Sequence, residues 1–68
     1  MEDDATLGER IARYRHQRGL TQEVCANQVG RSESWLSQVE RGVIQLDAAI
    51  ALINLATVLK VDLSKLAG

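Results

Sequence analysis

Capping residues and glycines divide this chain into short segments of helical length. Threonine or serine stands at positions 6, 21 and 32, and glycine stands at positions 19, 30 and 42. A hydroxyl side chain accepts a hydrogen bond from the free N–H groups that begin a helix, and glycine readily adopts the left-handed conformation that ends one. The spacing therefore predicts three short helices, joined by tight turns, before residue 43.

The whole chain is predicted to fold into five helices and no strand. The first three helices run from about Thr6 to Arg18, from Thr21 to Val29 and from Ser32 to Arg41. The fourth helix begins with Asp47 as its cap and reaches about Lys60, and the fifth covers Asp62 to Leu66. No segment alternates as a half-buried strand does. We expect an all-α domain over residues 6–68, preceded by an acidic N-terminal tail, residues 1–5.

The composition limits what else a chain of 68 residues can be. Cys25 is the only cysteine, so no intramolecular disulfide forms, and His16 is the only histidine, so no zinc cluster is expected. The chain lacks a glycine-rich phosphate loop and a nucleophile beside a histidine and an orienting acid. We expect no metal, no cofactor and no enzymatic activity.

The sequence predicts a soluble, cytoplasmic protein. No uncharged apolar run approaches the ~20 residues of a membrane span. The start of the chain, with Glu2, Asp3 and Asp4, is acidic where a signal peptide is basic.

Positive charge is concentrated in the middle of the chain, although the formal net charge is −1. Residues 10–41 carry six arginines against three glutamates, whereas residues 1–9 carry four acids and no base. This distribution permits a surface that binds anions.

The second and third predicted helices meet the physical demands of a helix-turn-helix. Ala26 is small enough for a second helix to cross closely, and Gly30 suits the tight turn between the two helices. Leu36 and Val39 form the inward stripe of the third helix. Its outward side is polar and comprises Ser34, Ser37, Gln38 and Arg41, flanked by Glu33. A helix with such a polar face suits entry into the major groove of DNA.

The run TQEVCANQVGRSESWLSQVERG resembles the Cro/repressor-type (XRE-type) helix-turn-helix family of bacterial and phage transcription regulators. The likeness extends to LGERIARYRHQRGL before this run and LINLATVLKVDLSKL after it, and so covers roughly residues 7–67. The resemblance implies a compact, five-helix lambda-repressor-like fold. It also implies sequence-specific binding to a double-stranded DNA operator, usually as a homodimer, with the recognition helix of about residues 32–41 in the major groove.

The resemblance also implies roles for individual residues. Base reading is assigned to Glu33, Ser34, Ser37 and Gln38, and phosphate contacts to Gln22 and Arg41. Arg31 and Trp35 are further candidates for phosphate contact. Arg15 and Glu40 correspond to an internal salt bridge of the family. Two residues keep a structural alternative: Glu33 is also a favourable acid at a helix N-terminus, and Trp35 also borders the apolar seam.

The chain departs from the family pattern in three places. Cys25 replaces the usual leucine of the core, and the connection between Gly42 and Ala56 is longer than usual and lacks its proline. Glu33 is acidic where basic or amide residues are frequent, so no relative predicts the preferred base sequence.

The fourth helix is apolar on two sides. We expect one side, which includes Ala48, Ala49 and Leu55, to cover the core, while Ile50 and Ile53 project outward. These isoleucines are predicted to contact a second copy or an additional C-terminal domain of a longer regulator. A minimal regulator that ends at residue 68 remains an open alternative for the chain. The alternative function is a protein-interaction or antitoxin-like helical module with little DNA binding of its own.

Overall fold

A computed structural model of the chain describes residues 5–46 and 49–67. Within these ranges the chain forms five α-helices and no strand. The helices are α1 (Leu7–Gln17), α2 (Gln22–Val29), α3 (Glu33–Glu40), α4 (Ala49–Leu59) and α5 (Leu63–Ala67). The predicted all-α, five-helix fold is confirmed. The expected Asp47 cap of the fourth helix lies outside the described residues.

The first three helices begin where the hydroxyl residues predict. The side chains of Thr6, Thr21 and Ser32 each accept a hydrogen bond, 3.0–3.1 Å long, from the backbone N–H three residues further on. The Thr6 N–H in turn donates a hydrogen bond of 2.8 Å to the Glu9 carboxylate, and the two bonds together form a capping box. These bonds satisfy N–H groups that a helix start otherwise leaves without partners.

All five helices contribute side chains to a single core. The buried apolar residues are Ile11, Cys25, Ala26, Leu36, Val39, Leu55, Ala56, Leu59 and Leu66. Cys25 is fully buried within this cluster and therefore serves as the core residue at its position. Helix α2 packs against α3 and α4, while α1 packs against α3, α4 and α5. The helix that carries the candidate site, α3, is thus supported by α1 and α2.

One expectation for α4 is wrong: Ala49 is exposed, and Ala51 is buried with the core face instead. Ala49 precedes the fully buried Leu55 by six positions, which turns Ala49 about 120° away from it around the helix. Ala51 precedes Leu55 by four residues and therefore lies on the same face. A helix that is apolar on several sides gives little periodic signal from which to choose its buried face. Ala48 lies outside the described residues.

Over residues 5–46 and 49–67, no helix combines the length and apolar character needed to cross a membrane. The same residues contain no group of three or more histidine, cysteine, aspartate or glutamate side chains that could hold a metal ion.

Candidate nucleic-acid interface

Helices α2 and α3 are joined by a turn that depends on Gly30. This glycine has φ +83° and ψ 26°, in the left-handed region that a residue with a side chain adopts only at a cost. The N–H of Arg31 donates to the Ala26 carbonyl at 2.9 Å, which reverses the chain within a few residues. Ala26 is fully buried at this crossing, where a larger side chain would separate the two helices. The short turn therefore fixes α3 against α2.

Helix α3 has one buried and one polar side. Leu36 and Val39 point into the core and are almost completely buried. The polar side is formed by the exposed residues Glu33, Ser34 and Arg41 and the partly buried residues Ser37 and Gln38. The inward stripe holds the helix, so the polar side chains face away from the domain. The structure brings all of the residues assigned to base reading onto this one helix.

Ser34 and Gln38 contact each other on the polar side of α3. The Gln38 Nε2 donates a hydrogen bond of 3.1 Å to the Ser34 Oγ, one helical turn earlier. The two residues are four apart, a spacing that places side chains together on a helix surface. This contact restricts the rotamer of the glutamine before any partner is bound. The i, i+4 spacing was visible in the sequence, although we did not anticipate the bond from it.

Arg31 and Trp35 form a second contact beside the start of α3. The guanidinium carbon of Arg31 lies 4.9 Å from the centroid of the Trp35 ring, a distance typical of a cation–π contact. Arg31 is exposed, whereas Trp35 is partly buried and packs against the core. The core packing and the contact with Arg31 support the structural alternative for Trp35, and its phosphate contact stays a prediction. The arginine charge is held near the N-terminal end of α3.

Glu40 connects the first three helices. Its carboxylate accepts hydrogen bonds from Arg15 Nε at 2.7 Å and Arg15 Nη2 at 3.0 Å, so the ion pair is bidentate. The same carboxylate accepts a bond of 3.0 Å from Gln22 Nε2 at the start of α2. The structure thus brings together a residue assigned to phosphate contact and the two residues assigned to a salt bridge. The link between Gln22 and Glu40 was not anticipated from the sequence.

The remaining donors of Arg15 also have partners. Arg15 Nη1 donates to the Leu20 carbonyl at 2.9 Å, and Nη2 lies 3.2 Å from the His16 Nε2. The hydrogen bond to Glu40 raises the pKa of Arg15, while burial acts to lower it. The raising effects prevail, so the pairing with Glu40 further favours the charged form that a guanidinium keeps at any ordinary pH. This nearly buried charge is paired and hydrogen-bonded, as a buried charge must be.

Ile50 and Ile53 lie on the exposed side of α4. Their side chains are 74% and 49% exposed, respectively. Helix α4 contains no charged residue between Ala49 and Leu59. This face is therefore uncharged, and its two isoleucines lie beside the exposed polar residues Asn54 and Thr57. The residues assigned to DNA contact lie on other elements of the structure, from Gln22 in α2 to Arg41 at the end of α3.

Two crossed helices joined by a left-handed glycine, with one apolar and one polar side on the second helix, define a helix-turn-helix. The chain belongs to the helix-turn-helix domain family, whose family model matches residues 6–67. The suspected family resemblance is thereby confirmed. No curated protein matches the chain.

The fold is also similar to two solved structures of regulatory proteins. One is SinR, the master regulator for biofilm formation, crystallised in complex with DNA. The two sequences are 28% identical, and the structures superpose with a TM-score of 0.86 over 93% of this chain and 100% of that chain. The other is the restriction-modification controller protein C.AhdI from Aeromonas hydrophila. Its sequence is 32% identical to this chain, and the structures superpose with a TM-score of 0.83 over 88% of this chain and 86% of that chain. The similarity therefore extends over nearly the whole domain.

Proposed function

We propose that this chain is the sequence-specific DNA-binding domain of a transcription regulator and that α3 is its recognition helix. The observation that carries the proposal is the geometry of α3, in which Leu36 and Val39 are buried while the opposite side presents hydrogen-bonding groups. A helix of this kind fits the major groove, where base edges display distinct patterns of donors and acceptors. The similarity to SinR, crystallised with DNA, supports the proposal.

Gln38 is the main candidate for reading a base. An amide side chain pairs bidentately with adenine by accepting from N6 and donating to N7. The Gln38 Nε2 carries two hydrogens and uses one of them on the Ser34 Oγ, so the second is available for adenine. Ser34 therefore acts by orienting Gln38, in addition to any base contact of its own. A glutamine that is already oriented loses less conformational entropy on binding.

Glu33 and Ser37 complete the proposed base-reading set. Glu33 is exposed in the first turn of α3, where its carboxylate can accept from cytosine N4. The same position favours an acid for a structural reason, because the N-terminus of a helix carries partial positive charge. Replacing Glu33 with glutamine separates the two roles. A changed preference at one base pair supports reading, and lower stability with unchanged preference supports the structural role.

Phosphate contacts are proposed for residues on either side of the recognition surface. The Gln22 Nε2 donates to Glu40 and keeps a second hydrogen for a phosphate oxygen. Arg31 and Arg41 are exposed cations at the two ends of α3, and Trp35 supports the guanidinium of Arg31. Such contacts set the register of a protein on DNA and carry no sequence information.

We further propose that two copies of the chain bind one operator and meet through Ile50 and Ile53. The exposed side of α4 carries two isoleucines and no charge, so a second copy of the same surface meets no like charge. A symmetric dimer would place two recognition helices about one DNA turn, ~34 Å, apart. The alternative is that an additional domain of a longer chain covers this surface, and the test must exclude it. We propose that the protein binds DNA in the cytoplasm and that it catalyses no reaction.

Selection of bound duplexes from a random pool, followed by titration at several salt concentrations, tests the proposal. The two arginines per protomer that are proposed to contact phosphate predict that log K falls with log salt with a slope of about −2 per protomer. Selection should enrich a two-fold symmetric sequence whose half-sites are about one helical turn apart. A protein-interaction module would instead enrich no sequence and would bind all duplexes weakly.

A further inference from the structure

Gly8 is the point at which α1 comes closest to the end of α3. A side-chain Cβ built on Gly8 would lie 2.4 Å from the Val39 carbonyl oxygen and 2.5 Å from the Glu40 carbonyl oxygen. Carbon and oxygen atoms that are not bonded normally stay about 3.3 Å or more apart. Gly8 is buried and has an ordinary helical backbone, so its conformation does not require glycine. The requirement for glycine therefore comes from the backbone of α3.

A second contact between the same two helices involves the side chain of Glu40. Arg15, seven residues after Gly8, binds the Glu40 carboxylate through two hydrogen bonds. Seven residues correspond to two helical turns, so Gly8 and Arg15 lie on the same face of α1. Ile11 lies between them on that face and is fully buried. Helix α1 thus holds both the main chain and the side chain of Glu40.

We infer that Gly8 is a positioning residue for DNA recognition, because the clamp that Gly8 and Arg15 form on Glu40 sets the tilt of α3. This inference rests on the proposed function. Neither residue is required to touch DNA. Their effect reaches the base pairs through the orientation of the recognition helix.

The size of the Gly8 contact indicates how far α3 would move without it. An added methyl group at position 8 displaces the last turn of α3 by about 1 Å to restore a normal contact distance. Leu36, fixed in the core, lies four residues or about 6 Å before Glu40, so the displacement tilts α3 by about 10°. Functional side chains generally need to be placed within about 0.5 Å. The predicted movement exceeds that tolerance, so specific contacts should weaken more than phosphate contacts.

The test compares affinities for two duplexes, the preferred sequence obtained by selection and a random sequence of the same length. Gly8→Ala is the first variant. The double variant Arg15→Met/Glu40→Met is the second, because it opens the other half of the clamp and leaves no unpaired buried charge. Leu66→Val is the matched control, since it deletes one buried methylene from α5, which packs against α1 and α4. Circular dichroism identifies a temperature at which each compared variant is folded.

We expect Gly8→Ala and the double variant each to lower the ratio of specific to random affinity about tenfold, and Leu66→Val to leave it within twofold. If Gly8→Ala does not fold, the double variant decides the inference by the same ratio. An unchanged ratio in folded clamp variants overturns it. Residual dipolar couplings of the α3 amides measure the tilt without DNA. If the unsubstituted protein does not distinguish the two duplexes, the proposed function fails. An unchanged tilt of α3 in Gly8→Ala overturns the clamp separately. Where Gly8→Ala does not fold, the tilt in the double variant decides.

Discussion

Arg15 in α1 and Glu40 at the end of α3 form a nearly buried, bidentate ion pair, with Nε–Oε2 and Nη2–Oε1 distances of 2.7 and 3.0 Å. The pair joins two residues that are 25 positions apart in sequence. Because Glu40 also accepts from Gln22, one carboxylate holds together the start of α2, the end of α1 and the end of α3. The recognition helix is therefore anchored at the end opposite its exposed N-terminal turn.

Glu40→Gln should strongly destabilise the domain. The substitution keeps the size of the side chain but leaves the Arg15 guanidinium buried without its anion, a change that typically costs about 3–5 kcal/mol. Urea denaturation followed by circular dichroism measures the loss. Glu23→Gln, which removes an exposed carboxylate from α2, should cost less than about 1 kcal/mol. A cost below about 1 kcal/mol for Glu40→Gln would show that the ion pair does not anchor α3.

Cys25 should be inert to alkylation in the folded protein. The thiol is fully buried, and burial raises its pKa, with a further increase from the Glu40 carboxylate that outweighs the opposite effect of Arg15. At pH 8 we expect iodoacetamide to modify the folded protein more than about 100-fold more slowly than the urea-unfolded chain. The exposed thiol introduced by Ser64→Cys should react at the rate of the unfolded chain. Equal rates at the two positions would contradict the burial of Cys25.

The raised pKa of Cys25 also predicts a loss of stability at alkaline pH. The unfolded thiol loses its proton near pH 8.5, below the pKa of the folded thiol, so the folded state holds more protons in this range. The free energy of unfolding should therefore fall as the pH rises above about 8.5, by at most about 1.4 kcal/mol per pH unit. Cys25→Ala has no thiol at this position, so its free energy of unfolding should not show this fall. Parallel pH profiles for the two proteins would show that the thiol is not perturbed.

The helix starts were predictable because capping depends on neighbouring residues. Thr6, Thr21 and Ser32 each bond a backbone group three residues away, so the residue type and its local spacing were sufficient. Leu36 and Val39 were likewise assigned to the core from the period of a single helix. Local sequence therefore predicted both the ends of the early helices and the polar side of α3.

Apart from the local bond between Ser34 and Gln38, the contacts that the sequence did not predict depend on distant parts of the chain. The close approach of Gly8 to α3 joins segments some thirty residues apart, and nothing near Gly8 in sequence distinguishes it from any helical glycine. Arg10 donates at 3.3 Å to the Leu66 carbonyl at the other end of the chain, a contact that its neighbours in sequence do not indicate. The buried face of α4 was misread at Ala49 because apolar residues surround that helix. Such contacts follow only from the tertiary arrangement.

Ser34 and Gln38 should be energetically coupled in DNA binding. If Ser34 orients the Gln38 amide, Ser34→Ala relaxes preference at the base pair that Gln38 reads. The double variant should then lose less than the sum of the single losses, by about 0.5 kcal/mol or more. The double-mutant cycle compares the unsubstituted protein, the two single variants and the double variant. Their affinities are measured for duplexes that carry each of the four base pairs at that position. Strict additivity would show that the two residues act independently.

Ile53→Lys should prevent self-association. The unsubstituted protein is expected to form a dimer at high micromolar concentration, because the exposed side of α4 has no charge to oppose a second copy. A lysine in each copy would bury two like charges at the interface. Sedimentation equilibrium measures the change, and Ser64→Lys on α5 adds the same charge elsewhere as a control. An unsubstituted protein that stays monomeric and is unaffected by Ile53→Lys would indicate that this surface serves another domain.

Helix α3 is proposed to read bases through Gln38 while Arg41 contacts phosphate, and paired titrations of two variants distinguish these roles. Gln38→Ala should cost about 1–3 kcal/mol on the preferred duplex, with little effect on random DNA, and relax preference at one base pair. Arg41→Ala should weaken binding to both duplexes similarly and make the salt slope shallower by about one unit. If both substitutions lower affinity equally on preferred and random DNA, α3 is not the recognition helix and the assignment is wrong.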